Sequence, residues 1–185
     1  MSFSIGDVKK YLESAVTRQG FNQWMAPEII IAESDELELE IPIRVEMTQH
    51  HGFVHGGCVA AFADTAAAWS AALARCKDVV TSNYSVQLLA PAQGERLRAI
   101  AEPVKVGRSS ATIDVKVFSV DDEGSAKICA VVLAGISILG TQRNSQGLLA
   151  TAIIFMFFLS EVSKWTMSLH MWAKQYQARS FAPGR

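Results

Sequence analysis

The sequence predicts an α+β domain in which an antiparallel sheet wraps around one long central helix. An alanine-rich, proline-free segment at 55–75 has the length of a helix of about 20 residues. The extended segments that follow it are joined by short turns, which suit antiparallel neighbours and leave no room for crossover helices. With 185 residues, half of them hydrophobic, the chain can bury a sizeable core around such a helix.

Before the long helix, the pattern changes from helical to extended. Residues 7–17 place apolar side chains on one side of a short amphipathic helix, which Gly20 is expected to end. Glu28–Ala32 is a short apolar strand, and residues 37–43 alternate between apolar and acidic positions, as in a strand with one wet face. Residues 44–54 are polar and irregular, which indicates a loop.

After the long helix, the sequence predicts a run of strands separated by turns rich in glycine, proline and aspartate. These strands are expected at 79–89, 96–106, 109–120 and 126–139. The main domain is therefore expected to span residues 1–140.

Residues 141–185 are interpreted as a helical C-terminal extension, to which we assign no role. The apolar run at 148–159 would form a helix of about 18 Å, short of a hydrocarbon core of about 30 Å. Phe158, Val162, Trp165 and Leu169 then recur at helical spacing. A packed or interfacial helix is favoured over a membrane span.

Composition excludes some classes of function. A formal net charge of -1, with both signs interspersed, gives no basic surface for nucleic acid. Cys58, Cys76 and Cys129 lack metal-ligand or redox spacing, so free, buried thiols in a reducing cytoplasm are expected. The first residues lack the basic and apolar regions of a signal peptide.

The long helix carries one acidic residue, Asp64, on its less bulky face. Val59, Phe62 and Leu73 form a bulky face, while glycine and alanine surround Asp64 on the other side. Small residues let a ligand or another backbone approach closely. A carboxylate in these surroundings destabilises the fold unless it is paired, hydrogen-bonded or solvated. A carboxylate at such a position suits the role of a general base or nucleophile. A structural acceptor for loop N–H groups is the alternative.

The segment before this helix, from Gln49 to Gly57, adds a second feature. Gly56 and Gly57 lie where a helix begins, and N–H groups there have no partner within the helix and favour negative charge. They could polarise a substrate carbonyl, as an oxyanion hole does, or merely permit a tight turn. The histidines at 50, 51 and 55 lack a metal-binding spacing, so no metal is expected.

The string HGGCVAAFADTAAAWSA, from His55 to Ala71, resembles the signature helix of the PaaI-type hotdog-fold acyl-CoA thioesterases. In that family an HGG turn precedes a helix with an acid seven residues after the second glycine, the position of Asp64. The resemblance extends more loosely over residues 28–139, through SNYSVQLLAPA and VGRSSATIDVKVF. It implies the hotdog fold, hydrolysis of acyl- or aryl-CoA to a free acid and coenzyme A, and no cofactor.

The same resemblance implies roles for individual residues. Asp64 would attack the thioester or activate water, and the Gly56 amide, followed by Gly57 in the same turn, would polarise the carbonyl. Gln49 would orient water or substrate, and His55 would brace the loop. Thr81 would help to position the water. Arg108 would contact a phosphate of coenzyme A, unless it is only a solvated surface charge.

The resemblance also implies a homodimer or homotetramer with active sites shared between chains, and bare sheet edges favour association independently. The extension at 141–185 has no counterpart in the family pattern. Two other functions remain open. One is a hotdog hydratase or dehydratase acting on enoyl-CoA, and the other is a non-catalytic acyl-CoA-binding module.

Overall fold

The computed structural model describes residues 5–139, with the side chain of Ile5 excepted. The expected domain boundary at residue 140 and the C-terminal extension lie outside the described residues and stay predictions. The elements are α1 (Ile5–Arg18), α2 (Gly20–Met25), β1 (Glu28–Ala32), β2 (Leu37–Pro42), α3 (Gly56–Arg75), β3 (Val79–Leu88), β4 (Arg96–Val106), β5 (Ser110–Val120) and β6 (Ala126–Ile138).

The described strands form one antiparallel sheet in the order β1-β2-β4-β5-β6-β3. β3 follows α3 in the chain, yet it pairs with β6 at the edge of the sheet. The chain between β2 and β4 therefore leaves the sheet, forms α3 across one face and returns at the far edge. The predicted α+β architecture, a sheet around a long helix, is confirmed.

The core lies between α3 and the inner face of the sheet. The bulky helix positions Val59, Phe62 and Leu73 are each at most 2% exposed. Opposite them, β4 presents Ala99 and Ala101, both fully buried, and small side chains let the helix lie close to the strand. The alternation of buried and exposed positions along β4 and β5 is the period of two that a sheet with one covered face requires.

The acidic side chains of β2 lie on the outer face, where they form ion pairs with β4. Glu40 contacts Arg96 at 3.1 Å and Arg98 at 2.6 Å, and Arg98 also contacts Glu38 at 3.2 Å. The predicted wet face of β2 is therefore covered by arginine side chains, because residues directly opposite on paired strands share one face.

The region around Gly20 differs from the expectation. α1 already ends at Arg18, and Gly20 begins the short helix α2, which the sequence did not predict. Met25 and Asn22 are 1% and 3% exposed, so burial against the domain stabilises a helix too short to form alone. The predicted loop at 44–54 contains a single 3-10 turn at Val45–Met47.

Among the described helices, α3 is long and apolar enough to cross a membrane. However, 61% of its most apolar 18-residue stretch is buried inside the fold. It is the central helix of the domain. Its apolar character is explained by contacts with α1 and with strands β2 to β6.

Candidate active site

Three of the first four backbone N–H groups of α3 have an acceptor among the described residues. The His55 side chain caps the helix, since its Nδ1 accepts from the Gly57 N–H at 2.9 Å. The His55 carbonyl accepts from Cys58 at 2.8 Å and Val59 at 3.2 Å. Within residues 5–139, no acceptor is recorded for the Gly56 N–H. The capping geometry thus uses the neighbouring donors and leaves the Gly56 amide available at the positive end of the helix.

The loop before α3 forms a small hairpin that places Gln49 beside this helix end. Thr48 and Val54 form a bridge, and the Gln49 N–H donates to the Phe53 carbonyl at 2.8 Å. Gly52 has a positive φ of 81°, which glycine adopts without steric cost and which closes the turn. The loop is also fixed from outside, because the Val54 N–H donates to the Ala92 carbonyl at 2.9 Å.

A cavity of about 320 Å³ opens at this point. Gln49 and Gly56, two residues predicted from the sequence to belong to the active site, both line it, and the rest of its wall is largely apolar. The lining residues are Gln49, Phe53, Val54, Gly56, Val59, Leu88, Leu89, Ala90, Pro91, Ala92 and Cys129. Leu88 lies directly over Gly56, since a Cβ added to Gly56 would be 2.7 Å from its Cδ1. The cavity therefore combines apolar walls with a free backbone donor, as ligand pockets commonly do.

Asp64 lies in the middle of α3 on its half-exposed stripe. Its Oδ1 is buried, and no hydrogen bond or ion pair is recorded for the carboxylate within residues 5–139. Gly57, Ala61 and Ala68 on the same stripe are exposed or half-buried, so the region around the carboxylate is shallow and made of small residues. Asp64 was alternatively expected to accept hydrogen bonds from loop N–H groups. No such donor contacts it in the described part of the chain.

Asp64 and Gly56 are on one helix but do not share one cavity. Eight residues separate them, which corresponds to about 12 Å along the helix axis. Asp64 is absent from the lining of the cavity that contains Gly56. A single thioester carbonyl therefore cannot contact both groups of the same chain.

The remaining candidate residues lie elsewhere. Thr81 is half-buried on the helix-facing side of β3, opposite Ile136, and does not line the cavity. Arg108 is exposed in the turn between β4 and β5. His50 and His51 are exposed, with their ring centroids 3.9 Å apart. Among the described residues, no group of three or more His, Cys, Asp or Glu side chains could hold a metal ion.

Two residues of the cavity were missed by the sequence analysis. Cys129 is 1% exposed, and burial raises the pKa of its thiol to about 11. Leu88 is 56% exposed although it covers Gly56. The alternation of apolar and polar residues along β3 and β6 could have placed Leu88 and Cys129 on the face towards the helix. Their proximity to the HGG turn, however, depends on the pairing of β3 with β6. Cys58 and Cys76 are free and half-buried.

Comparison with known proteins agrees with this geometry. A model described as "Thioesterase superfamily" matches residues 51–126. A protein of Halobacterium salinarum that is provisionally named an esterase is 30% identical over 132 residues, which are 68% of this chain and 87% of that protein. A thioesterase family protein of Silicibacter pomeroyi has a similar structure, with a TM-score of 0.66 and 26% identity, covering 72% of this chain and 99% of its own.

The PaaI protein of E. coli, from the phenylacetic acid degradation operon, has the same fold, with a TM-score of 0.62 and 19% identity over 72% of this chain and 94% of its own. The helix wrapped by an antiparallel sheet, with a glycine-rich turn at its N-terminus, defines a PaaI-like hotdog domain. The chain belongs to the thioesterase superfamily. Membership supports hydrolysis of thioesters as the general activity.

Proposed function

We propose that this protein hydrolyses acyl- or aryl-CoA thioesters to a free acid and coenzyme A. The observation that carries the proposal is the Asp64 carboxylate, which lies in mid-helix with a buried oxygen and no recorded partner in the described chain. A buried carboxylate oxygen without a hydrogen-bond donor costs stability, and local costs of this kind are expected at functional sites.

In the proposed reaction, Asp64 either deprotonates a water molecule or attacks the carbonyl carbon itself. In the first route, water oxygen bonds to the carbonyl carbon as its proton passes to the carboxylate. The carbon–sulfur bond then breaks, and the thiolate takes up the proton held by Asp64, which gives coenzyme A and restores the carboxylate. In the second route, an Asp64 oxygen bonds to the carbonyl carbon, the carbon–sulfur bond breaks and coenzyme A leaves as the thiolate, which is then protonated from water. Water hydrolyses the resulting anhydride to the free acid and the Asp64 carboxylate. The proposal invokes no metal or other cofactor.

The Gly56 N–H would stabilise the negative charge that develops on the carbonyl oxygen in either route. Its proposed role is supported by its position at the positive end of α3 and by the lack of an acceptor for it within residues 5–139. Gln49, in the same cavity, would orient the water or the substrate. His55 would brace the turn, since its Nδ1 already accepts from the Gly57 N–H. Thr81 would help to position the water.

A site of this kind requires two chains, because about 12 Å separates Asp64 from Gly56 along one helix. We therefore place Asp64 of one copy beside Gln49 and Gly56 of a second copy. Edge strand β3 offers a surface for this association, since no described strand pairs with its outer side and Val80, Tyr84 and Leu88 are each more than 40% exposed. A homodimer is the smallest assembly that completes the site, and free thiols favour the cytoplasm.

The test is a screen of acyl- and aryl-CoA esters in which a thiol-reactive dye measures the coenzyme A released. At least one ester should be hydrolysed with first-order dependence on enzyme, and the Asp64→Ala variant should release no thiol above background. Tight binding of CoA esters without any hydrolysis would instead indicate a binding module. Addition of water to an enoyl-CoA with the thioester intact would indicate a hydratase.

A further inference from the structure

Strand β3 runs alongside α3 in the opposite direction. Leu88, the last residue of β3, lies over Gly56, the first residue of α3, since a Cβ added to Gly56 would be 2.7 Å from the Leu88 Cδ1. At the other end, residues 76–78 connect Arg75 to Val79. The helix of 20 residues and the strand of 10 residues are both about 30 Å long. Positions along the strand can therefore be matched to positions along the helix.

This match places Tyr84 level with Asp64. Tyr84 lies four residues before Leu88, which is about 13 Å along the strand. Asp64 lies eight residues after Gly56, which is about 12 Å along the helix. The phenol and the carboxylate therefore belong to neighbouring elements and lie at about the same distance from the HGG turn.

Tyr84 projects from the face of the sheet that α3 covers, as Leu88 does. Their partners on β6 are Ala134 and Ala130, which are at most 1% exposed. Directly paired residues of neighbouring strands share a face, and the buried face of β6 is the one towards the helix. The Tyr84 side chain is nevertheless 44% exposed, because β3 is an edge strand.

The surface of α3 towards β3 is made of small side chains. Up to residue 67, the positions that lie within about 40° of the Gly56 direction around the helix axis are all alanine. These positions are Ala60, Ala63 and Ala67. Asp64 lies about 80° from the Gly56 direction, at the border of this alanine surface. A long side chain on β3 can therefore pass over the alanines and reach the carboxylate.

The two polar groups both lack a partner in the described chain. The Asp64 Oδ1 is buried and accepts no hydrogen bond, and none is recorded for the Tyr84 hydroxyl within residues 5–139. Thr65, which follows Asp64 in the helix, donates its hydroxyl to the Ala61 carbonyl at 3.1 Å. A tyrosine hydroxyl can donate, and an ionised carboxylate only accepts. A half-exposed tyrosine can also change its side-chain rotamer without disturbing the core.

We propose that the Tyr84 hydroxyl donates a hydrogen bond to the Asp64 carboxylate in the assembled protein and fixes its orientation. The inference rests on the proposed thioesterase function, in which Asp64 is the base or the nucleophile. Tyr84 is a positioning residue, since it acts through Asp64 and does not touch the thioester. One carboxylate oxygen accepts from the phenol, and the other faces the water or the carbonyl carbon. The contribution of Tyr84 should therefore appear in kcat and not in KM.

The kinetic experiment uses Tyr84→Phe, which removes the hydroxyl and keeps the ring. With the CoA ester that the screen selects, kcat should fall about tenfold, as expected for loss of one hydrogen bond to a charged group, and KM should stay within twofold. Tyr11→Phe is the matched control, because Tyr11 has a similar exposure of 50% but lies on α1. It should leave both constants unchanged. A wild-type kcat in Tyr84→Phe overturns the inference.

A double-mutant cycle shows whether Tyr84 acts through Asp64. In a chain that carries Asp64→Asn, adding Tyr84→Phe should leave the residual kcat unchanged, because the carboxylate that the phenol orients is already absent. A further tenfold loss in that chain would place the effect of Tyr84 elsewhere and overturn the inference. Sedimentation of Tyr84→Phe should give the mass of the wild-type assembly, since the ring on β3 is retained. Loss of activity through dissociation would also overturn it.

Urea denaturation separates this inference from the proposed function, because it requires no substrate. Tyr84→Phe should lower the urea midpoint in the chain that has Asp64 and leave it unchanged in the Asp64→Ala chain. That result supports the hydrogen bond even if no CoA ester is hydrolysed, in which case the proposed function alone fails. Hydrolysis that requires Asp64, with no effect of Tyr84→Phe on kcat or on the midpoint, overturns the inference alone.

Discussion

The Asp64 carboxylate and the Gly56 N–H are both without a recorded partner in the described chain, yet they lie eight residues apart on one helix. A rigid helix holds them about 12 Å apart, so one molecule cannot bring them to the same carbonyl. Two copies arranged with their central helices antiparallel could place each acid beside the other copy's helix N-terminus.

The first prediction concerns the carboxylate. Asp64→Asn keeps the shape of the side chain but removes the base, so kcat should fall by about 10²- to 10⁴-fold. Because one carboxylate oxygen is buried and has no donor among the described residues, the melting temperature should stay the same or rise. Steady-state kinetics and thermal denaturation measure the two effects. A large loss of stability together with activity would show that Asp64 is a structural residue.

The second prediction isolates the Gly56 N–H. Proline is tolerated at the first position of a helix, since the N–H that it lacks has no intrahelical partner. A Cβ at this position would meet Leu88 at 2.7 Å, so the comparison is made in a Leu88→Ala background. There, Gly56→Ala keeps the N–H and Gly56→Pro removes it.

The proline variant should have a kcat about 10²- to 10³-fold below that of the alanine variant, as for loss of one oxyanion-hole donor. Both should have similar melting temperatures, because the helix and its His55 cap are retained. Equal kcat values in the two variants would show that this amide does not polarise the carbonyl.

The third prediction tests the shared site by mixing inactive variants. Two variant proteins are mixed in equal amounts: one carries Asp64→Asn alone, and the other carries Gly56→Pro together with Leu88→Ala. The mixture is then unfolded and refolded, so that the chains can exchange. In a random mixture, half of the dimers contain one of each chain, and each of these has one intact site. Activity should recover to about a quarter of that of wild-type enzyme treated the same way. A mixture as inactive as its parents would place both groups in one chain.

The fourth prediction follows from the buried thiol at Cys129. Burial raises its pKa from the ordinary value of 9.0 to about 11, so the folded state favours the protonated form. The corresponding stability is fully present below pH 9 and is lost as the pH rises from 9 to 11, by about 2 kcal/mol. Urea denaturation between pH 8 and pH 11 measures it.

Cys129→Ala is the control for this effect, because it removes the titrating group and little volume. The variant should lose less stability than the wild type over the same pH range. Identical slopes in the two proteins would assign the pH dependence to other groups. At pH 8 the Cys129 thiol should also react slowly with thiol dyes, so it should not interfere with the assay for released coenzyme A.

Much of the fold could be predicted because its elements depend on local patterns. The boundaries of α3 and of the strands after it agree with the sequence to within a residue or so, since alanine content and period-two alternation are local signals. α2 was missed because its six residues have no such pattern and depend on the burial of Met25. Cys129 was missed for a similar reason, because the cavity that it lines forms only when β6 packs against α3.

The sequence by itself determined the class of fold, the presence of one acidic residue on α3 and the glycine turn that begins this helix. Each of these is encoded within a few neighbouring residues. Only the tertiary structure decided that the Gly56 N–H has no acceptor among the described residues, that Gln49 and Leu88 lie beside it, and that Asp64 is about 12 Å away. Such relationships depend on distances between residues far apart in the chain, and those are set by strand pairing and packing and not by local pattern.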